Sequence, residues 1–363
     1  MSRQTKILVI SLAGIGDTLL ATPLIRELRE NCPEASIDVL VMWAGARDLL
    51  EGNRAVRRVH FLNMIKAGPL PSLQFLWGLR RERYDISLNT YPQSKIHYRM
   101  VARLIGARER VSHLYENAGW LDRGLVTRGV AQDYERHSVE NNLALLDPLG
   151  LRPRLSRHDP ELFLRAEEQA WASQFLRQEP LPGKRILGLH VGSGKTKNLE
   201  LRRWPLANYI DLIRRLLDAR RDVAVILFGG PAEQEDHATF LRLVQHPAVL
   251  LASTRNLRET AALLQQCELF LSVDTALMHL AAAMKVPAQF VIETPTFNKT
   301  IEPYARPYVL IPNSKVQGKH LDYYRYDGRG IRGTAEELAE CMRSVTVEQV
   351  FQEVQKALAT TAG

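Results

Sequence analysis

At 363 residues, 45% hydrophobic and 24% charged, the chain has the length and composition of two ordinary globular domains at roughly 150 residues each. No run of ~18 apolar residues occurs, which excludes a spanning helix, and Met1 to Lys6 leads into a strand-like run without signal-peptide character. Three scattered cysteines (Cys32, Cys267, Cys341) argue against a disulfide framework or zinc site and fit a reducing cytoplasm, while the net charge of +8 favours a polyanionic partner: nucleotide, phosphorylated glycan, anionic lipid surface or nucleic acid.

In chain order, Ile7-Leu8-Val9-Ile10 predicts a first buried strand, followed by a glycine turn and a helix over about residues 17–31. Strands at 37–42 and 84–88 complete a first set. The polar stretch 152–160 reads as a linker, and Leu181-Pro182-Gly183 opens a second set. Its strands are predicted at 185–190, 223–228, 269–273 and 289–292, the last closing the sheet. Helices at 205–219, 233–244, 257–267 and 275–284 separate or follow them. Continuous apolar runs alternating with helices indicate parallel sheets covered on both faces. The expected domains are 1–165 and 175–345, with a terminal helix within 346–363 open to packing back on the first domain or on the second.

The turn Ser11-Leu12-Ala13-Gly14-Ile15-Gly16-Asp17-Thr18 joins the first strand to the first helix. A dinucleotide fingerprint needs a small residue at 19 and an acid closing the second strand; Leu19 and Val41-Met42-Trp43 stand there instead, which argues against a dehydrogenase. Asp17 sits where a helix N-cap is expected. The same position places a carboxylate at the carboxyl end of the sheet, where open α/β folds bind ligands, and the residues alone leave both readings open.

In the second set, His190-Val191-Gly192-Ser193-Gly194-Lys195-Thr196-Lys197 lacks P-loop spacing because Leu189 stands where glycine is needed, yet a Gly/Ser/Lys loop after a strand suits an anion. Arg202 and Arg203 precede Trp204-Pro205 and a helix start, either as a solvated pair or as a guanidinium clamp on pyrophosphate. Ser272-Val273-Asp274-Thr275-Ala276-Leu277-Met278-His279 passes from strand to helix, capped by Asp274 or Thr275, and its free amides form an anion site. A lone helical histidine such as His279 is more often structural than catalytic. Glu233, after Phe228-Gly229-Gly230-Pro231-Ala232, either binds ribose hydroxyls or favours the helix start. There is no Asp-x-Asp pair for a sugar-nucleotide metal.

These segments together resemble glycosyltransferase family 9, the heptosyltransferases that build the lipopolysaccharide inner core from ADP-heptose. The carriers are Gly14 to Pro23, His137-Ser138-Val139-Glu140-Asn141-Asn142, Arg203-Trp204-Pro205, Gly229-Gly230-Pro231 and Asp274 to His279, spanning about residues 5–300. The resemblance implies an α/β GT-B fold: two Rossmann-like parallel-sheet domains facing each other across a cleft, the first for acceptor and the second for nucleotide sugar. It implies an inverting transfer with no metal and no cofactor. Asp17 matches the general base, with Gly16, Thr18 and Lys95 on the acceptor side. Arg202, Ser193, Asp274, Thr275, Ala276 and Leu277 match the diphosphate site, and Glu233 and His279 the ribose or sugar site.

The implied partners are ADP-heptose and a lipid-linked or core-oligosaccharide acceptor. A peripheral place on the inner face of the inner membrane follows, with Lys95, Arg99, Arg103, Arg108 and Arg110 available for acceptor phosphates or lipid. Nucleic acid is not expected, since charge is its sole support. Two departures bear on the donor: Ala276 replaces a customary glycine, and Glu293-Thr294-Pro295-Thr296 replaces a Gly-Pro-Thr turn, setting an acid beside the pocket. Residues 322–328, with three tyrosines, are a surface loop or part of the sugar site. The alternatives are a related transferase with another nucleotide sugar and acceptor, or a non-catalytic nucleotide- or glycan-binding protein, against which Asp17 argues.

Overall fold

The computed structural model describes residues 4–178, 181, 183–194 and 196–360. The chain forms two units: one runs to Phe163 and also holds Tyr326–Gly328, and the other holds Leu164–Arg325 and the chain from Arg329 onward.

The first unit is built on six parallel strands: β1 Lys6–Ser11, β2 Ser36–Val41, β3 Arg58–Phe61, β4 Ile86–Asn89, β5 Glu109–Leu114 and β6 Arg128–Ala131. Their order is β3-β2-β1-β4-β5-β6. Central β1 is flanked in register on both sides, Ile7 opposite Ile37 and Ile86. Being covered on both faces, it reads as an unbroken apolar run. Leu8, Ile10 and Leu40 meet Leu76 and Leu79 of helix Pro69–Arg81 and Ala102 and Ile105 of helix Ile96–Ile105 in one core. Each such aliphatic burial contributes about 1.5–3 kcal/mol.

The second unit repeats the plan with β7 Arg185–His190, β8 Val223–Phe228, β9 Val249–Leu251, β10 Leu269–Ser272, β11 Ala288–Ile292 and β12 Val309–Ile311. The order β12-β11-β10-β7-β8-β9 places the unit's first strand beside its fourth, as in the first unit. Trp204 is fully buried in this core and donates its indole N–H to the Val345 carbonyl at 2.8 Å, so its one polar atom is satisfied.

Several expectations change. The helix expected over 17–31 is two, Ile15–Leu20 and Thr22–Asn31, because Pro23 has no N–H to continue the first and instead suits the opening turn of the second. The strand at 289–292 does not close its sheet; β12 lies outside it. The terminal helix Val347–Thr360 packs on the second domain. Val350, Val354 and Leu358 are fully buried in the second core, and Arg185 donates to the Leu358 carbonyl at 2.7 Å. The stretch 152–160 is laced to the first unit rather than slack. Buried Glu27 accepts the amides of Arg154 and Leu155, each at 2.8 Å, and pairs with His158. Burial opposes the Glu27 charge, but those donors prevail and hold its carboxyl below the ordinary value.

Candidate active site

In each unit the chain order reverses beside the first strand, and the loops leaving the carboxyl ends of the two strands at that point flank the crevice where open α/β sheets take ligands. In the first unit those are the loops after β1 and β4, which carry Asp17 and Lys95. In the second they follow β7 and β10 and carry Ser193 and Asp274.

After β1 the helix starts at Ile15, with Gly14 as its N-cap in extended conformation. Asp17 is therefore the third helical residue and not the cap. Its carboxylate bends back over the turn: a Cβ on Gly14 would stand 2.8 Å from Asp17 Oδ2, so glycine there leaves the carboxylate room. Asp17 is half-buried, whereas Thr18 is fully buried. The Thr18 hydroxyl bonds Ser11 and the Gly14 carbonyl, both at 2.9 Å, so it fixes the turn and has no face toward an acceptor. Gly16 stays half-buried in the same turn.

After β4 the loop is held by Arg99, which is buried rather than offered to phosphates or lipid. It donates to Asp122 Oδ1 at 2.6 Å and to the carbonyls of Gln93 and Ser94, each at 2.9 Å. Arg110 is likewise spent on the carbonyls of Leu125 and Ala107. Arg99 thereby places Lys95, the N-cap residue of helix Ile96–Ile105, whose aliphatic stem lies over Gly328. Residues 326–328 are therefore no loose surface loop. Tyr326 meets Tyr91 edge to face at 5.1 Å between ring centres and stacks on Tyr134, and Asn117 donates to the Asp327 carbonyl at 3.3 Å. Burial raises the phenol of neighbouring Tyr115, and the negative charge of Asp17 adds to the shift, so Tyr115 stays neutral and accepts the Gln93 amide at 2.6 Å. Asn142, in the segment His137 to Asn142, accepts the Tyr91 amide at 2.8 Å and donates to the Leu20 carbonyl at 3.3 Å, joining the two loops.

In the second unit Arg202 donates from Nη1 to Asp274 Oδ2 at 2.7 Å and to Thr296 Oγ1 at 3.0 Å. The Asp274 carboxylate also accepts from Thr294 at 2.8 Å and Thr296 at 2.7 Å. Asp274 is thus saturated, and as an anion it would repel a diphosphate; its position is that of a counter-charge orienting Arg202. The buried Arg202 Nε has no acceptor among the described residues. Beside it begins helix Ala276–Ala283, capped by the Thr275 hydroxyl on the Met278 amide, with Ala276 half-buried in the first turn and Leu277 buried. Thr275 Oγ1 also meets His190 Nδ1 at 3.2 Å. Burial, and then the nearby His237 and arginines, pushes His190 down to about 3, so the ring is neutral. His279 is buried one turn along.

Arg203, not singled out in the sequence as distinct from Arg202, ties the remaining loops. It reaches Ser193 Oγ at 3.3 Å, Asp236 at 2.9 Å and Glu233 at 3.3 Å. Ser193 donates to the Leu199 carbonyl at 3.0 Å, and Glu233 accepts the Gly230 amide at 2.9 Å. Lys195 lies outside the described residues. Glu293 does not face the donor loops: it accepts the Asn313 amide at 2.6 Å and pairs with His320 at 2.8 Å. Among the described residues no cluster of three His, Cys, Asp or Glu side chains is placed to hold a metal ion.

Residues 73–323 match the sequence profile of glycosyltransferase family 9 (heptosyltransferase). The chain belongs to that family. It is 27% identical over 285 residues to lipopolysaccharide heptosyltransferase 3 of Escherichia coli K12, covering 75% of this chain and 78% of that one. It is also 27% identical over 325 residues to lipopolysaccharide heptosyltransferase 2 of Salmonella typhimurium LT2, covering 84% and 88%. The solved structure of E. coli ADP-heptose LPS heptosyltransferase II superposes with a TM-score of 0.73 at 20% identity over 99% of this chain and 100% of that one. A family 9 glycosyltransferase from Veillonella parvula gives 0.75 at 19% identity, covering 99% of each chain. Family 9 membership makes the chain a glycosyltransferase, and the two parallel-sheet units are the GT-B fold. Among the described residues no helix is long and apolar enough to cross a membrane.

Proposed function

We propose that the enzyme transfers heptose from ADP-heptose to a hydroxyl of the lipopolysaccharide inner core, with inversion and without a metal. The observation that carries this reading is Arg202: a buried guanidinium held from one side by Asp274 and Thr296, with Nε meeting no acceptor among the described residues, beside the first turn of helix Ala276–Ala283. A fixed cation and free amides together supply the charge stabilisation that a departing diphosphate needs.

Asp17 acts as the general base. Its carboxylate takes the acceptor hydroxyl proton as that oxygen forms its bond to the anomeric carbon. The bond from that carbon to the diphosphate oxygen breaks in the same displacement, and its electron pair leaves on ADP, so the configuration inverts. Arg202 and the amides of Ala276 and Leu277 take up the diphosphate charge, and Lys95 meets an anionic acceptor group. Glu233 and His279 are assigned to the donor ribose or sugar. The kinship with lipopolysaccharide heptosyltransferases supports lipopolysaccharide as acceptor, and the likeness to the E. coli ADP-heptose LPS heptosyltransferase II supports ADP-heptose as donor. We place the enzyme in the cytoplasm, on the side of the membrane where nucleotide sugars are held.

The test is ADP release from ADP-heptose in EDTA, with deacylated Kdo-containing core oligosaccharides as acceptors, for the wild type and Asp17→Asn. Acceptor-dependent release in the wild type that collapses in the variant is expected, with the product's anomeric configuration by NMR opposite to the donor's. Release that stops in EDTA and returns with a divalent ion would overturn the metal-free step. Release with another nucleotide sugar in place of ADP-heptose would overturn the donor.

A further inference from the structure

We propose that one helical face of the first unit docks on an anionic lipid bilayer. Nine of the eleven large apolar side chains that stand exposed among the described residues lie on four helices of this unit. Helices Met64–Ala67 and Pro69–Arg81 carry Ile65, Leu70, Leu73 and Trp77. Helices Ile96–Ile105 and Trp120–Leu125 carry Ile96, Met100, Leu104, Trp120 and Leu121. The helices are neighbours in sequence around the sheet, each packed on the next. Leu73, Trp77 and Arg81 of one line a common groove with Leu104 of another, so the exposed residues are continuous across the helix boundary.

A patch of this kind on a protein surface marks an interaction site, and its charge says which. The same four helices carry five exposed cations, Lys66, Arg80, Arg81, Arg103 and Arg123. Their one carboxylate, Asp122, is buried and spent on Arg99. An apolar face with exposed tryptophans, a cationic border and no exposed carboxylate of its own is the composition that enters the headgroup region of an anionic membrane. Trp77 and Trp120, at 58% and 80% exposure, beside that cationic border suit the headgroup region, where the amphipathic indole has an apolar body and a wet edge. The helix that bears Ile96, Met100 and Leu104 is the one Lys95 caps, so the docked face adjoins the loop assigned above to the acceptor. The docking itself does not rest on that assignment, since it concerns the lipid and not the sugar.

The experiment is co-sedimentation of the full chain with vesicles of phosphatidylcholine alone and with added phosphatidylglycerol, for the wild type, Trp77→Ser/Trp120→Ser and Arg81→Glu/Arg123→Glu. The wild type is expected to bind the anionic vesicles, more weakly as salt rises. Each double variant is expected to lose about ten-fold or more in partitioning, with an unchanged melting midpoint and unchanged turnover on a water-soluble acceptor. Brominated acyl chains are expected to quench wild-type tryptophan fluorescence and to quench the Trp77→Ser/Trp120→Ser chain far less. Absence of wild-type binding, equal binding by the variants, or a dimer in sedimentation velocity that Trp77→Ser dissolves would each overturn the proposal. Loss of turnover on every acceptor with vesicle binding intact would count against the proposed function and leave the docking face standing.

Discussion

Arg202 Nη1 lies 2.7 Å from Asp274 Oδ2, and both side chains are nearly buried, so each charge is the other's main compensation. Removing the carboxylate leaves a buried, unpaired guanidinium. Asp274→Ala is therefore expected to destabilise the second unit by about 3–5 kcal/mol, read as a fall in the denaturation midpoint. Arg202→Lys keeps the charge and loses the planar fork. It is expected to raise the KM for the donor about ten-fold or more, with a much smaller stability change. A donor KM raised by Asp274→Asn with stability untouched would instead give Asp274 a direct place on the diphosphate.

Glycine at 14 leaves room for the carboxylate of Asp17, the base of the proposed transfer. Asp17→Asn keeps the shape and removes the basic oxygen. The expected loss in kcat is about 10²–10⁴-fold, with donor affinity by calorimetry within about two-fold of the wild type. Loss of donor binding in step with kcat would make Asp17 a structural residue.

Central strands are legible in the sequence because burial on both faces leaves unbroken apolar runs, as in Val223–Phe228 and Leu269–Ser272. Edge strands such as Arg58–Phe61 and Arg128–Ala131 are not, because they are short and partly exposed. Glu109–Leu114 lies inside its sheet but buries Ser112 and His113, which breaks the apolar pattern. The RRWP run marks Arg202 as a candidate. That its partners are Asp274 and Thr296 depends on β10 lying beside β11, which spacing along the chain does not reveal. Arg99 and Glu293 carry the opposite error: a charged residue in a family-like segment suggests a side chain facing ligand, and burial shows each tying loops together.

Gly192 faces Glu233 so closely that a Cβ would lie 2.6 Å from its Oε1. Glu233 cannot withdraw cheaply, since it is held by the Gly230 amide and Arg203. Gly192→Ala is expected to cost about 1–3 kcal/mol of stability and to weaken donor binding by moving Glu233 and Arg203 together. Gly194→Ala, whose Cβ would meet Leu199 at an ordinary 3.7 Å, is the control expected to change little.

Burial pushes His113 down to about 4 and His190 down to about 3, against an ordinary imidazole near ~6.5. Both rings are neutral in the folded chain while the unfolded chain takes up protons below about pH 6.5. Their contribution to stability is therefore complete above that pH and is lost as pH falls toward the folded values, at about 1.4 kcal/mol per pH unit for each ring. Buried carboxylates such as Asp38 and Glu27, whose pKa values are lowered, act in the same direction only below about pH 4.5. Unfolding free energies between about pH 5 and 6.5 thus isolate the histidines. His113→Phe, set among Tyr91 and Tyr115, is expected to flatten that slope for the first unit; an unchanged slope would place the titration elsewhere.

Gly328 has φ +83° and lies under Lys95, where a Cβ would stand 2.6 Å from Lys95 Cε and 2.8 Å from Cγ. A side chain there is opposed twice, by the left-handed backbone at about 1 kcal/mol and by the lysine stem. The stem is flexible and can yield, so the fold is expected to survive Gly328→Ala while the ammonium group moves. If Lys95 meets an anionic acceptor group, the variant raises the KM for acceptor about three- to ten-fold and leaves the KM for donor within about two-fold. Lys95→Met should reproduce the acceptor effect without the backbone cost, so the pair separates a displaced charge from a strained turn. Equal rises in both KM values, or a rise in Gly328→Ala that Lys95→Met does not share, would remove Lys95 from the acceptor site.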